Sequence, residues 1–503
     1  MTLSSHKEDF LKDYNVLLSK AGQEDRLNFS SIASPTLNKQ ETVTFLYLKV
    51  NEFLTEKEKN LKKSKPTLSD YAKFVRRLLY VLLNLSRISL NYRVKKLPTN
   101  ATLLRTWLVP KSIQQNRITD DYFREMVDEL NSQKLIIGFM PNGFSFLGKL
   151  KKISLPENYI LTPGLLSIRD IVMLFIDYLV NGHYQLKKRY HFKGEDISIL
   201  INESLTDDYL LLRSFPAFLE KYISLKMRKY EPKKIVYIYE NQAWERALIQ
   251  SFSKTRTKLI GYQSSGFSLR FLNFFPTGID KMENFFPSKI LTVGQVYTSK
   301  LKEFGDYGIP IETFAALRFN YECDEANRYI IKQQSSVVKK RIIYAFPVLI
   351  YQYEKIIEDL VEAFGHSEIE VDLKFHPLFL EDNMNNFMDL LPQNFSVVEH
   401  VDMTSLSETY DIVIFNDNSF GIESLIQGVP SFEYDLSEGI DDTRLFDFNL
   451  YECKLDKDGL VNIKKKIISE NLPQLDQNEV SEYIHKVYTP FESQRANLNE
   501  FLS

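Results

Sequence analysis

The sequence predicts an α/β protein built from two doubly wound domains in tandem. Three observations support this prediction. From about residue 100, apolar runs rich in β-branched and aromatic residues alternate with helical segments, which is typical of a parallel sheet covered by helices on both faces. After a charged segment at 325–339 the same alternation begins again. A last helical segment, 479–502, is long enough to return to the first domain.

Length, composition and charge agree with a globular protein of this size. A chain of 503 residues with 44% hydrophobic and 26% charged residues accommodates two or three domains. The net charge is −3 and no long block of one sign occurs, which argues against bulk nucleic-acid binding. The two cysteines, Cys323 and Cys453, lie far apart in the sequence, which fits a reducing cytoplasm better than a disulfide or a cysteine-based zinc site.

Residues 1–95 are predicted to form a helical N-terminal extension. The first fifteen residues contain no apolar signal core. The run Leu78–Leu90 is too short for a membrane span and is interrupted by Asn84 and Arg87, so we expect a buried helix. The alternative is a peripheral contact with the inner face of the cytoplasmic membrane, made by the basic residues of this helix: Lys73, Arg76, Arg77 and Arg87.

The first Rossmann-like domain is predicted at 96–322 and would bind the acceptor. Proline and glycine punctuation closes its early strands, at Pro110 and at Pro141-Asn142-Gly143. Strands are expected at 103–109, 135–140, 235–239, 258–263 and 289–293. Helices are expected at 120–130, 168–180, 209–226 and 243–252, with a further helix from about Thr298.

The second Rossmann-like domain is predicted at 323–478 and begins with a helical connector at 325–339. Strands are expected at 341–346, 369–375, 395–398 and 412–415, and helices at 352–364 and 420–427. Gly428 stops the last of these helices, and Val429-Pro430 opens the next strand. The segment 479–503 is predicted to be a C-terminal helix that returns to the first domain.

Two polar signals follow strands of the second domain. Pro377 keeps His376 out of the helical conformation at the end of a strand, where its imidazole can donate to a phosphate or a ribose hydroxyl. The alternative for His376 is a histidine that only caps a turn. Lys374, on the same strand, either joins this site or points outward.

The second signal is the loop from Asn416 to Ser419, between a four-residue apolar strand and a helix. Its residues are good helix N-caps, and a helix start after a parallel strand is a site for anions. We predict that Asn416, Asn418 and Ser419 bind phosphate and that Glu423, one turn later, accepts ribose hydroxyls. Plain N-capping and a solvent-facing glutamate are the alternatives.

Together, His376-Pro377 and the loop ending in Ser419 before Gly421 and Glu423 resemble bacterial GT-B glycosyltransferases of surface-polysaccharide assembly. The pattern is similar to bacterial sialyltransferases and capsule Kdo transferases. That resemblance implies the GT-B fold, with two Rossmann-like domains facing a cleft. It also implies a CMP-linked acidic sugar, of the Kdo or nonulosonic acid type, held by His376, Pro377 and Ser419 for capsule or O-antigen synthesis.

Two other functions stay open. The sequence also resembles teichoic-acid glycerophosphotransferases, although it has Asn418-Ser419 where those enzymes have paired serines, so a CDP-glycerol or polyol-phosphate transferase is one alternative. A non-catalytic glycan-binding or export protein on the same fold is the other.

In the first domain, carboxylates are the candidates for chemistry. Glycosyl transfer needs a general base on the acceptor hydroxyl, or a nucleophile if configuration is retained. Glu240, at the end of a strand, is the first candidate and Glu245, in the next helix, the second; each could instead offset the helix dipole. The next strand ends in Gln263, Ser264 and Ser265, which either bind acceptor or sugar or are ordinary loop residues.

Arg318, at the domain junction, is a candidate for binding a phosphate or the donor's carboxylate, or for a structural ion pair. The seven histidines are scattered and no D-x-D motif suits metal-dependent transfer, so we expect no cofactor and no essential metal. The expected partners are a nucleotide sugar and a glycan or lipid-linked glycan acceptor, in the cytoplasm and without nucleic acid.

Overall fold

The structure of the protein is a computed structural model. It describes most of the chain from residue 66 onward and a few residues before it. The described ranges are 9–10, 12–14, 16–17, 66–109, 112–114, 117–129, 135–141, 150, 153–186, 188–268, 271–276, 278–319, 321–347, 352–376, 391–436, 444–445 and 447–501. Most of the predicted N-terminal extension, including the charged run before Pro66, therefore lies outside the described residues, and so does Pro377.

The first domain is built on a parallel sheet of seven strands in the order β7-β6-β5-β4-β1-β2-β3. The strands are β1 (Thr102–Leu108), β2 (Leu135–Pro141), β3 (Tyr159–Leu161), β4 (Lys234–Ile238), β5 (Lys258–Gln263), β6 (Lys289–Thr292) and β7 (Ile311–Thr313). The predicted strands agree with β1, β2, β4, β5 and β6, whereas β3 and β7, of three residues each, were not predicted. Short strands at a sheet edge give a weak apolar signal.

The second domain contains a parallel sheet of six strands in the order β10-β9-β8-β11-β12-β13. The strands are β8 (Arg341–Ala345), β9 (Glu370–Lys374), β10 (Phe395–Val397), β11 (Ile412–Phe415), β12 (Ser431–Tyr434) and β13 (Lys454–Leu455). Counted within each domain, both sheets contain the order 3-2-1-4-5-6 of a doubly wound fold, and the first sheet adds a seventh strand beside the sixth. The prediction of two doubly wound α/β domains is confirmed.

The described residues among 9–17 are helical, and fourteen α-helices lie in the described ranges from residue 66 onward. They are α1 (Leu68–Asn91), α2 (Arg124–Glu129), α3 (Ile168–Asn181), α4 (Ser198–Leu210), α5 (Phe215–Met227), α6 (Ala243–Phe252), α7 (Gly278–Met282), α8 (Gln295–Phe304), α9 (Tyr353–Phe364), α10 (Leu406–Thr409), α11 (Phe420–Ile426), α12 (Lys457–Ile468), α13 (Gln477–Val487) and α14 (Leu498–Phe501). None of them combines the length and apolar content that a membrane crossing needs.

Three predicted helices are wrong in extent or in type. The helix predicted at 209–226 is two helices, because Leu212 adopts φ 58° and Pro216 stands in the first turn of α5. The connector at 325–339 is irregular rather than helical, with Asn327 at φ 58° in a turn closed by Asp324. The C-terminal segment is α13, a 3₁₀ stretch at Phe491–Asn497 and α14, rather than one helix.

The C-terminal segment contacts both domains. Ser481 donates a hydrogen bond of 2.7 Å to the carbonyl of Tyr329 in the connector. Thr489 donates 2.8 Å from its backbone N–H to the carbonyl of Val293, beyond β6 of the first sheet. Farther along, the rings of Phe491 and Phe501 pack on Phe314 at centroid distances of 6.3 and 5.0 Å. This segment therefore completes the β6–β7 side of the first domain.

The hydrophobic core explains why the two domains form one body. Side chains of β8 alternate between two clusters, with Ile342 and Tyr344 in a cluster confined to the second domain. Ile343 and Ala345 belong instead to a cluster continuous with the first domain. Successive strand residues point to opposite faces, so one face of the second sheet belongs to a core that is continuous with that of the first domain.

Candidate active site between the two domains

A cleft of about 810 Å³ lies where the carboxyl ends of the two sheets meet. Open α/β sheets bind ligands at this edge, next to the point where the strand order reverses. In the first domain the reversal is between β1 and β4, and in the second it is between β8 and β11. The cleft is lined by Arg124, Glu240, Gln242, Ser265, Gly266, Phe267, Phe271, Asn273, Phe274, Arg318, Phe319, Tyr321, His376, Asp417, Asn418, Ser419, Glu423 and Arg444.

Glu240 lies in the cleft wall, two residues after β4. Asn241 follows in the left-handed conformation at φ 51°, and Gln242 then leads into α6. The Glu240 carboxylate accepts a 2.6 Å hydrogen bond from the side-chain amide of Gln242. Loss of solvation raises the pKa of Glu240, and the positive charge of Arg318 partly opposes this shift. A carboxylate in such surroundings suits proton transfer closer to neutral pH.

Glu245 is not placed in the cleft, contrary to its prediction as a second catalytic acid. Its side chain is fully buried, and one oxygen accepts the backbone N–H groups of Glu240 and Gln242 at 2.9 and 3.0 Å. Glu245 therefore reaches back across the first turn of α6 and caps the loop that carries Glu240. Burial raises the pKa of Glu245 well above its ordinary value, and the two backbone hydrogen bonds oppose this shift only in part.

Only one of the three residues predicted at the end of β5 lines the cleft. Gln263 is fully buried, and its side-chain carbonyl accepts the backbone N–H of Val293 at 3.3 Å. Its amide donates to the carbonyl of Ser265, and Ser264 is buried as well. Gln263 and Ser264 thus support the loop, and Ser265 is the member that faces the cleft.

Two arginines of the first domain line the cleft, Arg318 near Glu240 and Arg124 near Tyr321. The guanidinium of Arg318 lies over the ring of Tyr122, 4.9 Å from its centroid. Arg124, at the start of α2, is exposed on the same cleft. No acidic partner for either guanidinium lies within ion-pair distance among the described residues. Unpaired guanidinium groups of this kind are suited to bind a carboxylate or phosphate of a ligand.

In the second domain, a buried ion pair sets the conformation of the loop after β11. Asp417 adopts φ 43° and accepts a 2.7 Å hydrogen bond from Nε of Arg444. The backbone N–H of Arg444 donates to Glu433 of β12 at 2.6 Å. The guanidinium of Arg444 lies 5.1 Å from the ring centroid of Phe271, a first-domain residue, and so reaches across the cleft.

The two asparagines of this loop have different surroundings. Asn416 is fully buried and donates a 2.7 Å hydrogen bond to the carbonyl of Tyr434, so it ties β11 to β12 and does not line the cleft as predicted. Asn418 lines the cleft. Its amide donates to the carbonyl of Ala345 at 2.9 Å, and its carbonyl accepts the N–H of Phe420 at 3.0 Å. Asn418 therefore fixes the start of α11.

Ser419 and Glu423 form a small network that crosses between the domains. The Ser419 hydroxyl donates to one oxygen of Glu423 at 2.7 Å, and the hydroxyl of Tyr321 donates to the other at 2.9 Å. A carboxylate has about four lone-pair positions, so Glu423 can accept further hydrogen bonds from a ligand. Gly421 permits this arrangement, since a Cβ there would lie 2.1 Å from the ring of Phe415.

Lys374 is the last residue of β9, and His376 comes two residues later. Partial burial lowers the pKa of His376 most, and the charge of Lys374 lowers it further while Asp417 opposes the change. The ammonium of Lys374 lies 5.6 Å from the ring centroid of Phe420, so it points toward α11 rather than outward. Burial lowers the pKa of Lys374, and Glu423 opposes that shift. The imidazole of His376 thus lines the cleft, and the ammonium of Lys374 lies behind it, next to α11.

The structure also places residues in the cleft that the sequence had not indicated: Arg124, Tyr321 and Arg444. Tyr321 lies 102 positions before its partner Glu423, and Arg444 lies 27 positions after its partner Asp417. No local motif surrounds either residue, so only the tertiary fold could have identified them. Within the described ranges, no group of three or more histidine, cysteine or acidic side chains is arranged to hold a metal ion.

Comparison with protein-family models gives no match, and comparison with curated proteins gives none either. Among solved structures, the chain is similar to CalG4, the calicheamicin glycosyltransferase, with 9% identity, 80% of this chain and 98% of that chain covered, and a TM-score of 0.44. It is also similar to HepE of Anabaena in complex with UDP and glucose, with 11% identity, 80% and 98% covered, and a TM-score of 0.45. At this level of similarity, the reaction has to be argued from the site itself.

Proposed function

We propose that this protein is a metal-independent GT-B glycosyltransferase of bacterial surface-polysaccharide synthesis. One observation supports it above all others. A single cleft brings Glu240 and Arg318 of the first domain opposite His376, Ser419 and Glu423 of the second. In the proposed transfer, a carboxylate of one domain accepts the proton of the acceptor, and polar side chains of the other domain bind the nucleotide. This cleft contains both types of side chain.

The nucleotide-activated donor is assigned to the second domain. Glu423 would accept the ribose hydroxyls while Ser419 and Tyr321 hold its carboxylate in position. His376 and Arg444, which line the cleft, would supply donors for the phosphate, and Lys374 behind them would add positive charge. Helix α11 has only seven residues, so its dipole adds little and the side-chain cations matter more.

The acceptor is assigned to the first domain, beside Glu240. Glu240 would take the proton of the acceptor hydroxyl as the oxygen attacks the anomeric carbon, and the bond from that carbon to the nucleotide phosphate would break. The negative charge left on the phosphate would be stabilised by His376 and the neighbouring cations. Such preorganised donors can replace a metal ion in this role.

The donor sugar is proposed to be acidic and linked to CMP, of the Kdo or nonulosonic acid type. Its carboxylate would meet Arg318 and Arg124, which line the cleft and lack an acidic partner among the described residues. Guanidinium groups match the planar geometry of a carboxylate. The acceptor would be a glycan or a lipid-linked glycan.

A donor panel tests this proposal. Thermal unfolding is measured with CMP, CDP and UDP, because a nucleotide at 100 times its Kd adds about 2.7 kcal/mol of stability. Turnover is then measured with CMP-Kdo, CMP-sialate, CDP-glycerol and UDP-sugars, with and without a chelator. Stabilisation by CMP and chelator-resistant turnover of a CMP-sugar support the proposal. Turnover of CDP-glycerol or only of a UDP-sugar contradicts the donor, and glycan binding without nucleotide binding contradicts an enzyme.

A further inference from the structure

Helix α3 presents an apolar surface away from the core. Its inner face is buried through Ile171, Leu174, Phe175 and Tyr178. Its outer face is apolar as well. The exposed side chains there recur at helical spacing and are Ile168, Val172, Met173, Ile176, Leu179 and Val180. An ordinary surface helix has polar residues on its outer side, so this face is unusual for one in contact with water alone.

Helix α1 packs beside α3 and continues the same surface. One side of α1 is buried against the first domain through residues such as Phe74, Val81 and Leu85. The opposite side is apolar and exposed, with Leu68 at 91% and Leu90 at 66% exposure near its two ends. Between them, the exposed apolar side chains are Tyr71, Val75, Leu79, Tyr80 and Leu83. The exposed apolar residues of α1 and α3 are called the apolar face below.

The charge around α1 is mostly positive, whereas the two acids of α3, Asp170 and Asp177, are paired with Lys226 and Lys221 at 2.8 and 2.9 Å. Between residues 68 and 96 there is a single acid, Asp70, and its carboxylate lies 3.8 Å from Lys73. The same stretch contains seven exposed cations, which are Lys73, Arg76, Arg77, Arg87, Arg93, Lys95 and Lys96. The whole chain, by contrast, has a net charge of −3. The positive charge is therefore concentrated where the apolar residues are exposed.

The apolar face begins at the cleft side of the first sheet. Helix α3 starts only a few residues after β3, at the carboxyl end of that strand. The chain beyond α1 reaches the same place, where the N–H of Val94 donates 3.0 Å to the carbonyl of Gly164. The start of α3 and the end of α1 therefore lie on the side of the first sheet where its strands have their carboxyl ends.

We propose that the apolar face docks on an anionic lipid surface. Exposed leucine, valine and isoleucine side chains insert at the boundary of head groups and acyl chains, and the surrounding cations pair with anionic head groups. A second copy of the chain is a poorer partner. In a twofold contact the same patch meets itself, so the clustered cations would face each other. This inference does not depend on the proposed reaction.

Flotation of the full chain with vesicles tests the inference. We expect binding to vesicles of phosphatidylcholine with phosphatidylglycerol, and much weaker binding to phosphatidylcholine alone. The double variant Arg76→Glu/Arg77→Glu should lower the partition coefficient on anionic vesicles by at least about 30-fold, given the contribution of each cation near such a surface. Val172→Asp/Ile176→Asp should abolish binding to either kind of vesicle.

Matched variants on α12 of the second domain serve as controls. Lys465→Glu/Lys466→Glu reverses two exposed cations, and Val461→Asp/Ile468→Asp adds two charges to exposed apolar positions. Both should bind vesicles like the wild type, and all variants should unfold at the wild-type temperature because the substituted side chains are exposed. Equal binding to neutral and anionic vesicles, or no binding at all, overturns the inference. Self-association that Val172→Asp/Ile176→Asp removes, without vesicle binding, overturns it in favour of a second copy.

Discussion

The loops after β4 and β11 occupy equivalent positions in the two domains, yet they present different chemistry to the cleft. Each loop has four residues, follows the fourth strand of its sheet and leads into a helix. Each contains one residue in the left-handed conformation, Asn241 at φ 51° and Asp417 at φ 43°. Asparagine and aspartate tolerate that conformation better than most residues, so the backbone solution is similar in both.

The side chains differ in how many partners they have. In the second loop, Asp417 pairs with Arg444, Asn418 holds Ala345 and Phe420, and Ser419 donates to Glu423. In the first loop, Asn241 donates to the carbonyl of Asn273, and Glu245, outside the loop, accepts two of the loop's backbone N–H groups. The Glu240 carboxylate accepts one side-chain hydrogen bond among the described residues, from Gln242. A loop whose side chains are fixed by hydrogen bonds is suited to position a ligand. A carboxylate held by one amide and raised in pKa by burial is suited to accept a proton.

The largest expected effect is that of removing the proton acceptor. Glu240→Gln should lower kcat by about a thousandfold, since general-base catalysis contributes about 10²–10⁴. Steady-state kinetics with a saturating donor measure this. Glu245→Gln is the matched control and should keep kcat near the wild-type value, because Glu245 is buried away from the cleft. Equal inactivity of the two variants would contradict the assignment of proton transfer to Glu240 and of a supporting role to Glu245.

The second effect concerns stability. Arg444→Met should lower the free energy of unfolding by about 3 kcal/mol, because it leaves the buried carboxylate of Asp417 without its cation. Chemical denaturation measures this loss. Arg328→Met removes the exposed pair with Asp324 and should cost under about 1 kcal/mol. Equal losses in the two variants would show that the loop after β11 does not need its buried pair.

The third prediction is a loss of about a hundredfold in kcat/KM for His376→Ala, with the fold intact, as for other removed transition-state donors. His376→Gln should lose less because its amide keeps an N–H donor. The exposed His366, in the turn after α9, provides His366→Ala as a control with wild-type kinetics. Near-native activity of His376→Ala would contradict the assignment of the nucleotide site to this end of the cleft.

The fourth prediction uses the pH dependence of activity. In the proposed reaction the ionised form of Glu240 accepts the proton, so kcat/KM should fall as the pH decreases through its raised pKa. Arg318 lowers that pKa, so Arg318→Ala should move the acidic limb to higher pH as well as lower affinity by about tenfold. In Arg318→Lys the positive charge is kept, so the acidic limb of the kcat/KM profile should lie close to that of the wild type. If the acidic limb of Arg318→Ala lay at the wild-type pH, Arg318 would not influence the pKa of Glu240.

The smallest effect is that of pH on stability through Glu245. Because burial raises the pKa of Glu245, the folded state disfavours its ionised form, and this group's contribution to stability decreases as the pH rises from 4.5 through the raised pKa. Glu245→Gln keeps the accepting oxygen and lacks the charge. Its melting temperature relative to the wild type should therefore increase with pH. A difference that is constant with pH would mean that Glu245 is not buried as an acid.

Local patterns were sufficient for most of the fold. Strands buried on both faces are short continuous apolar runs, and Ile412–Phe415 is predicted to the residue for that reason. Gly428 adopts φ 74° after α11, as its predicted position at a helix end requires. The errors have local causes too. Pro216 marked the break before α5, and the charged connector lacked the apolar periodicity of a helix.

The site was less predictable than the fold. Glu240 and Glu245 are only five residues apart, and the sequence treated both as facing the cleft. Their difference depends on how Asn241 turns the chain and on whether α6 covers the second carboxylate. The pairings of Tyr321 with Glu423 and of Arg444 with Asp417 depend on packing between distant segments. The spacing of residues along the chain does not predict such pairings.

The return of the C-terminal segment to the first domain has a consequence for biosynthesis. Val293 receives its hydrogen bond from Thr489, and Phe314 is covered by Phe491 and Phe501. The ribosome must therefore translate the entire second domain before the β6–β7 side of the first is finished. At about 5–20 residues per second, that delay is on the order of 10 to 40 seconds. Throughout it, a growing chain would expose an aromatic edge to chaperones and proteases.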